Sequence, residues 1–174
     1  MSTPSPSPSP ATAAAVPSLS PTDADCGRTQ VDVRGPRFGG AVTTVVLAVA
    51  LVAGPGPLGT GLLAWQTLVF ALGALVGLQA QPYGIVFRRV VRPRLGPATE
   101  FEDAAPPRFA QAVGLVFAVV GLVAYLLGAT VVGQVAVAFA LGAAFLNAAF
   151  GFCLGCEMYL LGKRLFSRSA PAAA

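Results

Sequence analysis

Four long apolar stretches, separated by breaks rich in proline and glycine, are the strongest constraint on how this chain folds. They run approximately over Phe38–Ala53, Thr60–Ala80, Phe109–Gly128 and Val131–Gly151. A bilayer core about 30 Å thick is crossed by about 20 apolar residues of α-helix. Charged residues make up 10% of the chain, whereas a soluble domain has about 25%. The sequence therefore predicts an all-α fold, an integral membrane four-helix bundle.

The basic residues lie at alternate breaks between these stretches. Of the 11 Lys and Arg residues, three precede the first stretch, five lie between the second and third, and three follow the fourth. The connections Gly54–Gly59 and Ala129–Thr130 carry none. The positive-inside rule then puts both termini and the middle loop in the cytoplasm of a multi-pass membrane protein. Because this placement explains the basic pI, no nucleic-acid partner is expected.

The chain divides into three parts by composition. Residues 1–30 are rich in Pro, Ser, Thr and Ala, which predicts a disordered tail. Residues 31–166 form the membrane domain, and residues 167–174 are predicted to be a flexible C-terminus.

A short phrase occurs twice, as GPRFGGAV at Gly35–Val42 and as PPRFAQAV at Pro106–Val113. The copies lie 71 residues apart, each where the chain is expected to enter the membrane. Two copies of one helical hairpin, both inserted in the same direction, would explain the repeat. Chance similarity in a sequence of low complexity is the alternative.

Small and amide side chains within the stretches predict where helices meet. The amides Gln66 and Gln134, near the outer ends, and Asn147, near the inner end, are expected to bond across helices. Close packing between helices is expected at aligned small residues, either within one bundle or between two copies of the protein in a dimer. These are Gly73, Gly77, Gly114, Gly121, Gly128, Ala140, Ala144 and Ala148.

The middle loop begins with apolar residues mixed with Arg88, Arg89 and Arg92. This mixture predicts a short helix at the inner membrane surface, with these arginines binding anionic lipid headgroups. The acidic segment that follows is interpreted as a solvated loop.

Cys153 and Cys156 follow the fourth stretch, at or just after an expected helix break at Gly151. Helical residues three apart share a face, with Cα atoms roughly 5 Å apart, within the reach of a disulfide. A redox pair is one interpretation, and the alternatives are palmitoylation or no function. The chain has no histidine, so it lacks both a full set of zinc ligands and the histidine that follows the cysteines in a haem attachment motif. Neither a metal nor a cofactor is therefore expected.

Three phrases in this order resemble a family of small four-span bacterial membrane proteins, the domain-of-unknown-function family 4395. They are VDVRGPRF, the loop PYGIVFRRVVRPRLGPATEFEDAAPPRFAQAVGLVF and FLNAAFGFCLGCEMYLL. The resemblance covers about Val31 to Leu165. It implies an integral membrane protein without an established activity, with genes beside thioredoxin-like and thiosulfate sulfurtransferase-like ones. The family's closing cysteine pair falls on Cys153 and Cys156.

Three hypotheses for the function follow. The first is a membrane-anchored thiol–disulfide or sulfur relay, with Cys153 and Cys156 as the reactive pair and a cytoplasmic thioredoxin-like or sulfurtransferase-like partner. The second is a channel or carrier for a small sulfur compound, although polar residues are few within the spans. The third is a membrane scaffold without chemistry. Each is compatible with the bilayer as partner and with a homo-oligomer.

Overall fold

Four long helices dominate the structure, a computed structural model that describes residues 30–96, 98 and 100–167. A small two-stranded sheet and three shorter helices accompany them. In chain order the elements are β1 (Gln30–Asp32), α1 (Arg34–Ala53), α2 (Pro57–Ala71) with a π-helical continuation (Leu72–Val76), α3 (Pro82–Val86) with a π-helical turn (Phe87–Val91), α4 (Arg92–Leu95), β2 (Phe101–Asp103), α5 (Ala105–Leu126), α6 (Thr130–Phe150) and α7 (Leu154–Ser167).

The long helices form an antiparallel ring in which α1 contacts α2 and α6, and α5 contacts the same two helices. We call the end at which α1 and α5 begin the basic end, because Arg34, Arg37 and Arg108 lie there. The opposite end, with the connections 54–56 and 127–129, is the turn end. Apolar side chains fill the interior, namely Leu47, Leu63, Phe70, Ala118, Tyr125, Val137 and Ala140.

The outer surface of the bundle is apolar as well. Large hydrophobic side chains there remain more than half exposed, among them Val45, Val52, Val116, Leu126 and Phe139. Apolar side chains on the outside are stable only in an apolar solvent. Each long helix, counting α2 as Pro57–Val76, is long and apolar enough to cross a membrane. The predicted four-helix membrane bundle is confirmed.

The helix bounds differ from the predicted ones because helices begin before the apolar residues do. α1 begins at Arg34 and α5 at Ala105, whereas the apolar stretches begin at Phe38 and Phe109. The second span ends at Val76, before the predicted Ala80. A purely helical fold is a simplification, since β1 pairs antiparallel with β2 and Val31 lies opposite Glu102.

Two other predictions concern residues that belong to this sheet. The segment interpreted as a solvated loop after the arginines contains β2. The predicted tail lies outside the described residues except for Gln30, which belongs to β1 and therefore to the folded domain.

The two halves of the domain repeat the same local structures 71 residues apart. β1 and β2 are equivalent at this offset, and so are the starts of α1 and α5, at Arg34 and Ala105. Asp32 Oδ1 accepts the backbone N–H of Arg34 at 3.0 Å, and Asp103 Oδ1 accepts that of Ala105 at 3.0 Å. An aspartate two residues before each helix thus satisfies one of its free N–H groups.

Arginines in the repeated phrase reach the end of a neighbouring span in both halves. Arg108 donates from Nε to the carbonyl of Ala74 and from Nη2 to that of Leu75, both at 2.8 Å. Its counterpart Arg37 lays its guanidinium against Gly151, where α6 ends. The last carbonyl groups of a helix lack intrahelical partners, so a guanidinium there is stabilising.

The helix after each hairpin packs in an equivalent place. α3 lies on α1 and α7 lies on α5. The rings of Phe38 and Phe87 are 5.8 Å apart, and those of Phe109 and Tyr159 are 5.8 Å apart. Strands, caps, arginines and aromatic pairs recur together, so we infer that the domain arose by tandem duplication of one helical hairpin.

Glycines have two different roles in these helices. A side chain at Gly73, Gly114 or Gly121 would meet Gln111, Phe70 or Val137 of the adjacent helix, which confirms the predicted close packing at those positions. The prediction is wrong for Gly77 and Gly128, which have positive φ angles of 127° and 77° and lie at helix ends. Glycine adopts such angles without the strain that other residues incur.

A hydrogen-bonded cluster crosses the centre of the bundle. Gln66 is fully buried halfway along its span, not near the outer end as predicted. Its Nε2 donates to Thr43 Oγ1 at 3.3 Å, and its Oε1 accepts the Tyr83 hydroxyl at 3.0 Å. Trp65 Nε1 donates to the same hydroxyl at 3.2 Å. The predicted bonding of Gln66 across helices is confirmed, whereas Gln134 lies exposed on α6.

We expect Gln66→Leu to lower the free energy of unfolding by about 1–2 kcal/mol, because it leaves buried hydroxyl groups without their partner. Gln134→Leu is the matched control and should leave stability unchanged, since that amide already faces outward. Unfolding of both variants in mixed micelles measures the difference. Equal stability of the two variants would contradict the importance of the cluster.

Gly155→Ala should loosen α7 from α5, because an added Cβ would lie 2.6 Å from Ala110 Cα. Gly162→Ala in the same helix meets open space and should stabilise it, by up to about 1 kcal/mol. Amide hydrogen exchange along α7 is the measurement. Exchange should become faster in the first variant and slower in the second, and the same change in both would refute the docking contact.

Candidate functional site

The cysteine pair follows a sharp break in the chain at Gly151, as the sequence predicted. Gly151 ends α6 in the left-handed conformation, with φ 66° and ψ 14°. The N–H of Gly151 bonds to the carbonyl of Asn147 at 3.0 Å, and that of Phe152 bonds to Leu146 at 3.3 Å. This pattern closes a helix and lets the chain change direction.

Cys153 and Cys156 occupy the beginning of the next helix. Cys153 directly precedes α7, and its carbonyl accepts the N–H of Glu157 at 3.0 Å, the first hydrogen bond of that helix. The two Cα atoms are 5.2 Å apart, and the sulfur atoms are joined as a disulfide. Both residues are half-buried. A pair at a helix N-terminus sits in the partial positive charge of the helix dipole.

Packing between α7 and α5 fixes the position of the pair. Gly155, between the two cysteines, is buried against Ala110, an approach that a larger residue could not make. One turn further, Tyr159 packs on Phe109. The cysteines are therefore held at the basic end of the bundle, close to where α5 begins.

A cavity of about 730 Å³ opens at the basic end beside the pair. It lies between α1, α5, α6 and α7, and both cysteines line it. Aromatic and small apolar residues form most of its wall. Among them are Phe70, Phe117, Phe139, Ala140, Ala143 and Ala144.

A few polar groups also line the cavity. Asn147 donates from Nδ2 to the carbonyl of Pro36 at 3.3 Å, and Gln111 accepts from Gln81 Nε2 at 3.1 Å. Glu102 and Arg37 lie at the basic end of the cavity. Partial burial raises the pKa of the Glu102 carboxyl above its ordinary value.

The cavity is closed toward the turn end. Its deepest described residues include Thr43 of α1 and Ala140 of α6. One turn further along these helices and α2, the side chains of Leu47, Val137 and Leu63 are fully buried and pack together. The cavity therefore reaches about halfway through the bundle and ends at a packed apolar layer.

The equivalent place in the first half has a different chemistry. At the 71-residue offset, Pro82 and Ile85 stand where the second half has Cys153 and Cys156. Pro82 begins α3 as its first residue, which suits a residue without an N–H. A smaller cavity of about 310 Å³ lies between α3 and β1. Between these two equivalent places, the cysteine pair belongs to the second half alone.

The arginines predicted to bind lipid lie on the surface of the basic end. Arg88, Arg89 and Arg92 are exposed, and Arg88 Nη2 donates to the carbonyl of Gln79 at 2.8 Å. The predicted surface helix is present, but its inner face is formed by buried Tyr83 and Phe87 packed toward α1. Binding of these arginines to headgroups stays a prediction.

Sequence reasoning did not identify an arginine beside the cysteine pair. Arg37 is the arginine among the described residues that line the large cavity. The described arginines of the middle loop do not line it. Gln111 and Glu102 were also missed as cavity residues. The repeated phrase was the available signal, because it contains Arg37 in one copy and Gln111 in the other.

Comparison with known proteins identifies a family for this chain. No curated protein and no solved structure is similar enough to the chain to match it. A family described as a domain of unknown function, DUF4395, matches residues 31–164, from the first strand to the penultimate turn of α7. This match covers most of the chain, including both hairpins, the cavity and the cysteine pair, and the protein belongs to the DUF4395 family.

Proposed function

We propose that this protein is a membrane-anchored thiol–disulfide or sulfur relay that exchanges with a cytoplasmic thioredoxin-like or sulfurtransferase-like protein. It acts in the bacterial cell membrane, with both termini and the basic end in the cytoplasm. The observation that carries the proposal is the pairing of Cys153 and Cys156 at the N-terminus of α7, beside a cavity at the basic end.

The exchange with a thioredoxin-like partner takes two steps. A thiolate of the reduced pair attacks the partner's disulfide, so that a mixed disulfide forms and one partner thiolate leaves. The second cysteine then attacks the mixed disulfide, which releases the other partner thiolate and leaves Cys153 and Cys156 joined. Two electrons pass to the partner, and the reverse sequence passes them back.

Sulfur transfer uses the same pair without net oxidation. A thiolate attacks the outer sulfur of a persulfide on a sulfurtransferase-like partner. A persulfide then forms on the membrane protein and the partner leaves as a thiolate. The adjacent cysteine is placed to receive or release that sulfur, since the two Cα atoms lie 5.2 Å apart.

Local electrostatics support a reactive thiolate at this position. The helix N-terminus and the guanidinium of Arg37, which contacts Gly151 and lines the same cavity, both stabilise negative charge. The carboxylates of Glu157, Glu102 and Asp103, which line the same cavity, act in the opposite direction. The side chain of Glu157 is exposed, so solvent screens its charge.

A partner has an apolar surface to dock on beside the pair. Phe152 and Leu154 flank Cys153 and are 43% and 45% exposed. Both residues lie beyond the end of the fourth span at Phe150, so their apolar side chains are available to a docked partner.

The structure gives less support to the other two functions. A carrier or channel for a small sulfur compound needs a path through the bundle, whereas the cavity ends at the layer of Leu47, Leu63 and Val137. A scaffold without chemistry needs neither the paired cysteines nor the cavity.

We expect single-cysteine variants to trap the partner. In a Cys26→Ser background, Cys153→Ser or Cys156→Ser should leave one thiol that attacks a thioredoxin whose resolving cysteine is replaced by serine and whose other cysteine carries thionitrobenzoate. The thionitrobenzoate leaves as a thiolate, and a stable mixed disulfide remains. The double variant Cys153→Ser/Cys156→Ser should form none, as seen on a non-reducing gel. Unchanged partner binding by the double variant together with no trapping by the single variants would favour the scaffold.

The sidedness of the pair gives an independent prediction. In right-side-out vesicles, Cys153 and Cys156 of the reduced Cys26→Ser protein should resist a membrane-impermeant maleimide, and in inside-out vesicles they should react. The control is Leu127→Cys in a variant without other cysteines. Leu127 lies at the turn end and is 79% exposed, so the new cysteine should react in right-side-out vesicles and resist in inside-out ones. Labelling of the pair in right-side-out vesicles would refute the cytoplasmic assignment.

A further inference from the structure

The large cavity has the dimensions of a site for a small molecule. Its volume of about 730 Å³ lies within the 300–1,000 Å³ that is usual for ligand pockets. It extends from the basic end to Thr43 and Ala140, next to the packed layer. Its wall includes Phe139, whose side chain is 64% exposed on the outer surface of the bundle, so the cavity also borders that apolar surface.

The lining selects a neutral ligand with an aromatic or apolar body. Phe70, Phe117 and Phe139 contribute aromatic rings along the wall. Anions are disfavoured, because the carboxylates of Glu102, Asp103 and Glu157 line the cavity, whereas Arg37 is the one arginine among the described residues that line it. A small sulfur oxyanion therefore fits this lining poorly.

Polar groups in the wall are suited to carbonyl oxygens. Asn147 Nδ2 makes only a long bond of 3.3 Å to the carbonyl of Pro36. Gln111 accepts the hydrogen bond from Gln81 through Oε1, and its own Nε2 takes no part in that bond. Arg37 adds further N–H donors, and such groups can bond to the oxygens of a planar ring held between the aromatic side chains.

The position of the cysteines relates this ligand to their chemistry. Both line the cavity, so a molecule bound at their end of it lies beside the pair. A dithiol becomes a disulfide only if an acceptor takes two electrons. In a bilayer, a neutral, lipid-soluble acceptor with a planar ring and two carbonyl oxygens is a quinone.

We propose that the cavity binds a membrane quinone, which oxidises the Cys153–Cys156 dithiol. This inference rests on the proposed thiol–disulfide function and names its electron acceptor. One thiolate sulfur attacks the quinone ring, and the second thiolate attacks that sulfur, so that the disulfide forms. The quinone leaves as the quinol with two electrons and two protons, and the dithiol loses the same number. Glu102, a carboxyl whose pKa is raised by partial burial, lines the same cavity.

A single-turnover experiment tests the proposal on the full chain in nanodiscs, with Cys26→Ser to remove the third thiol. The protein is reduced, freed of reductant and mixed with ubiquinone-1. Thiols are counted by maleimide mass shift and quinol by ultraviolet absorbance. We expect one quinol for each disulfide formed. Loss of thiols without quinol, or no loss of thiols, would overturn the proposal.

Two variants and a control connect the reaction to the cavity. Ala143→Phe fills the cavity and should abolish the reaction, whereas Ala138→Phe adds the same ring to an exposed position on the same helix and should not. Asn147→Leu should slow the reaction about tenfold, the effect of one lost hydrogen bond. Both cavity variants should have the same thermal stability as Ala138→Phe, which shows that a slower reaction does not result from unfolding. Equal rates in all variants would overturn the cavity as the site.

Photolabelling separates failure of this inference from failure of the relay. An azido-ubiquinone should label cavity residues in Cys153→Ser/Cys156→Ser, where no thiol chemistry is possible, and ubiquinone-1 should compete. Absence of competed labelling, with partner trapping intact, overturns the quinone site and leaves the relay standing. Competed labelling without partner trapping would support the quinone site and overturn the relay with a protein partner.

Discussion

A helix in a bilayer can end only where its last carbonyl groups find partners, and the basic end of this bundle depends on that constraint. Arg108 supplies the partners for the carbonyls of Ala74 and Leu75, and Gly151 lets the chain close α6 on its own backbone. Both devices stop a span and turn the chain at the membrane surface. The second one delivers Cys153 and Cys156 to the first turn of α7.

Duplication explains why two such ends lie side by side. Each hairpin begins with an aspartate cap and an arginine that reaches a neighbouring span, and each is followed by a helix that packs on its own first span. The pairing of β1 with β2 joins the two copies at the basic end. The two equivalent scaffolds carry different side chains at this place. Pro82 is the first residue of a helix in the first copy, and Cys153 directly precedes one in the second.

The fold was largely predictable because its main signals are local. Apolar length predicted the spans, and glycine at position 151 predicted the break before the cysteines. The roles of Gly77 and Gly128 were mistaken, because a glycine that ends a helix and one that packs inside it look alike in sequence. The buried position of Gln66 also required the structure, since its partners Thr43 and Tyr83 come from α1 and α3.

By itself, the sequence determined the number of spans, the end of the bundle that carries positive charge, the internal repeat and the spacing of the two cysteines. These properties follow from composition and local order along the chain, which hold whatever the neighbours are. Only the tertiary structure decided that Arg37, Gln111 and Asn147 line a cavity with the cysteine pair, and that the cavity ends at Leu47, Leu63 and Val137. Those residues come from different helices, and their proximity depends on how the helices pack, which no local pattern records.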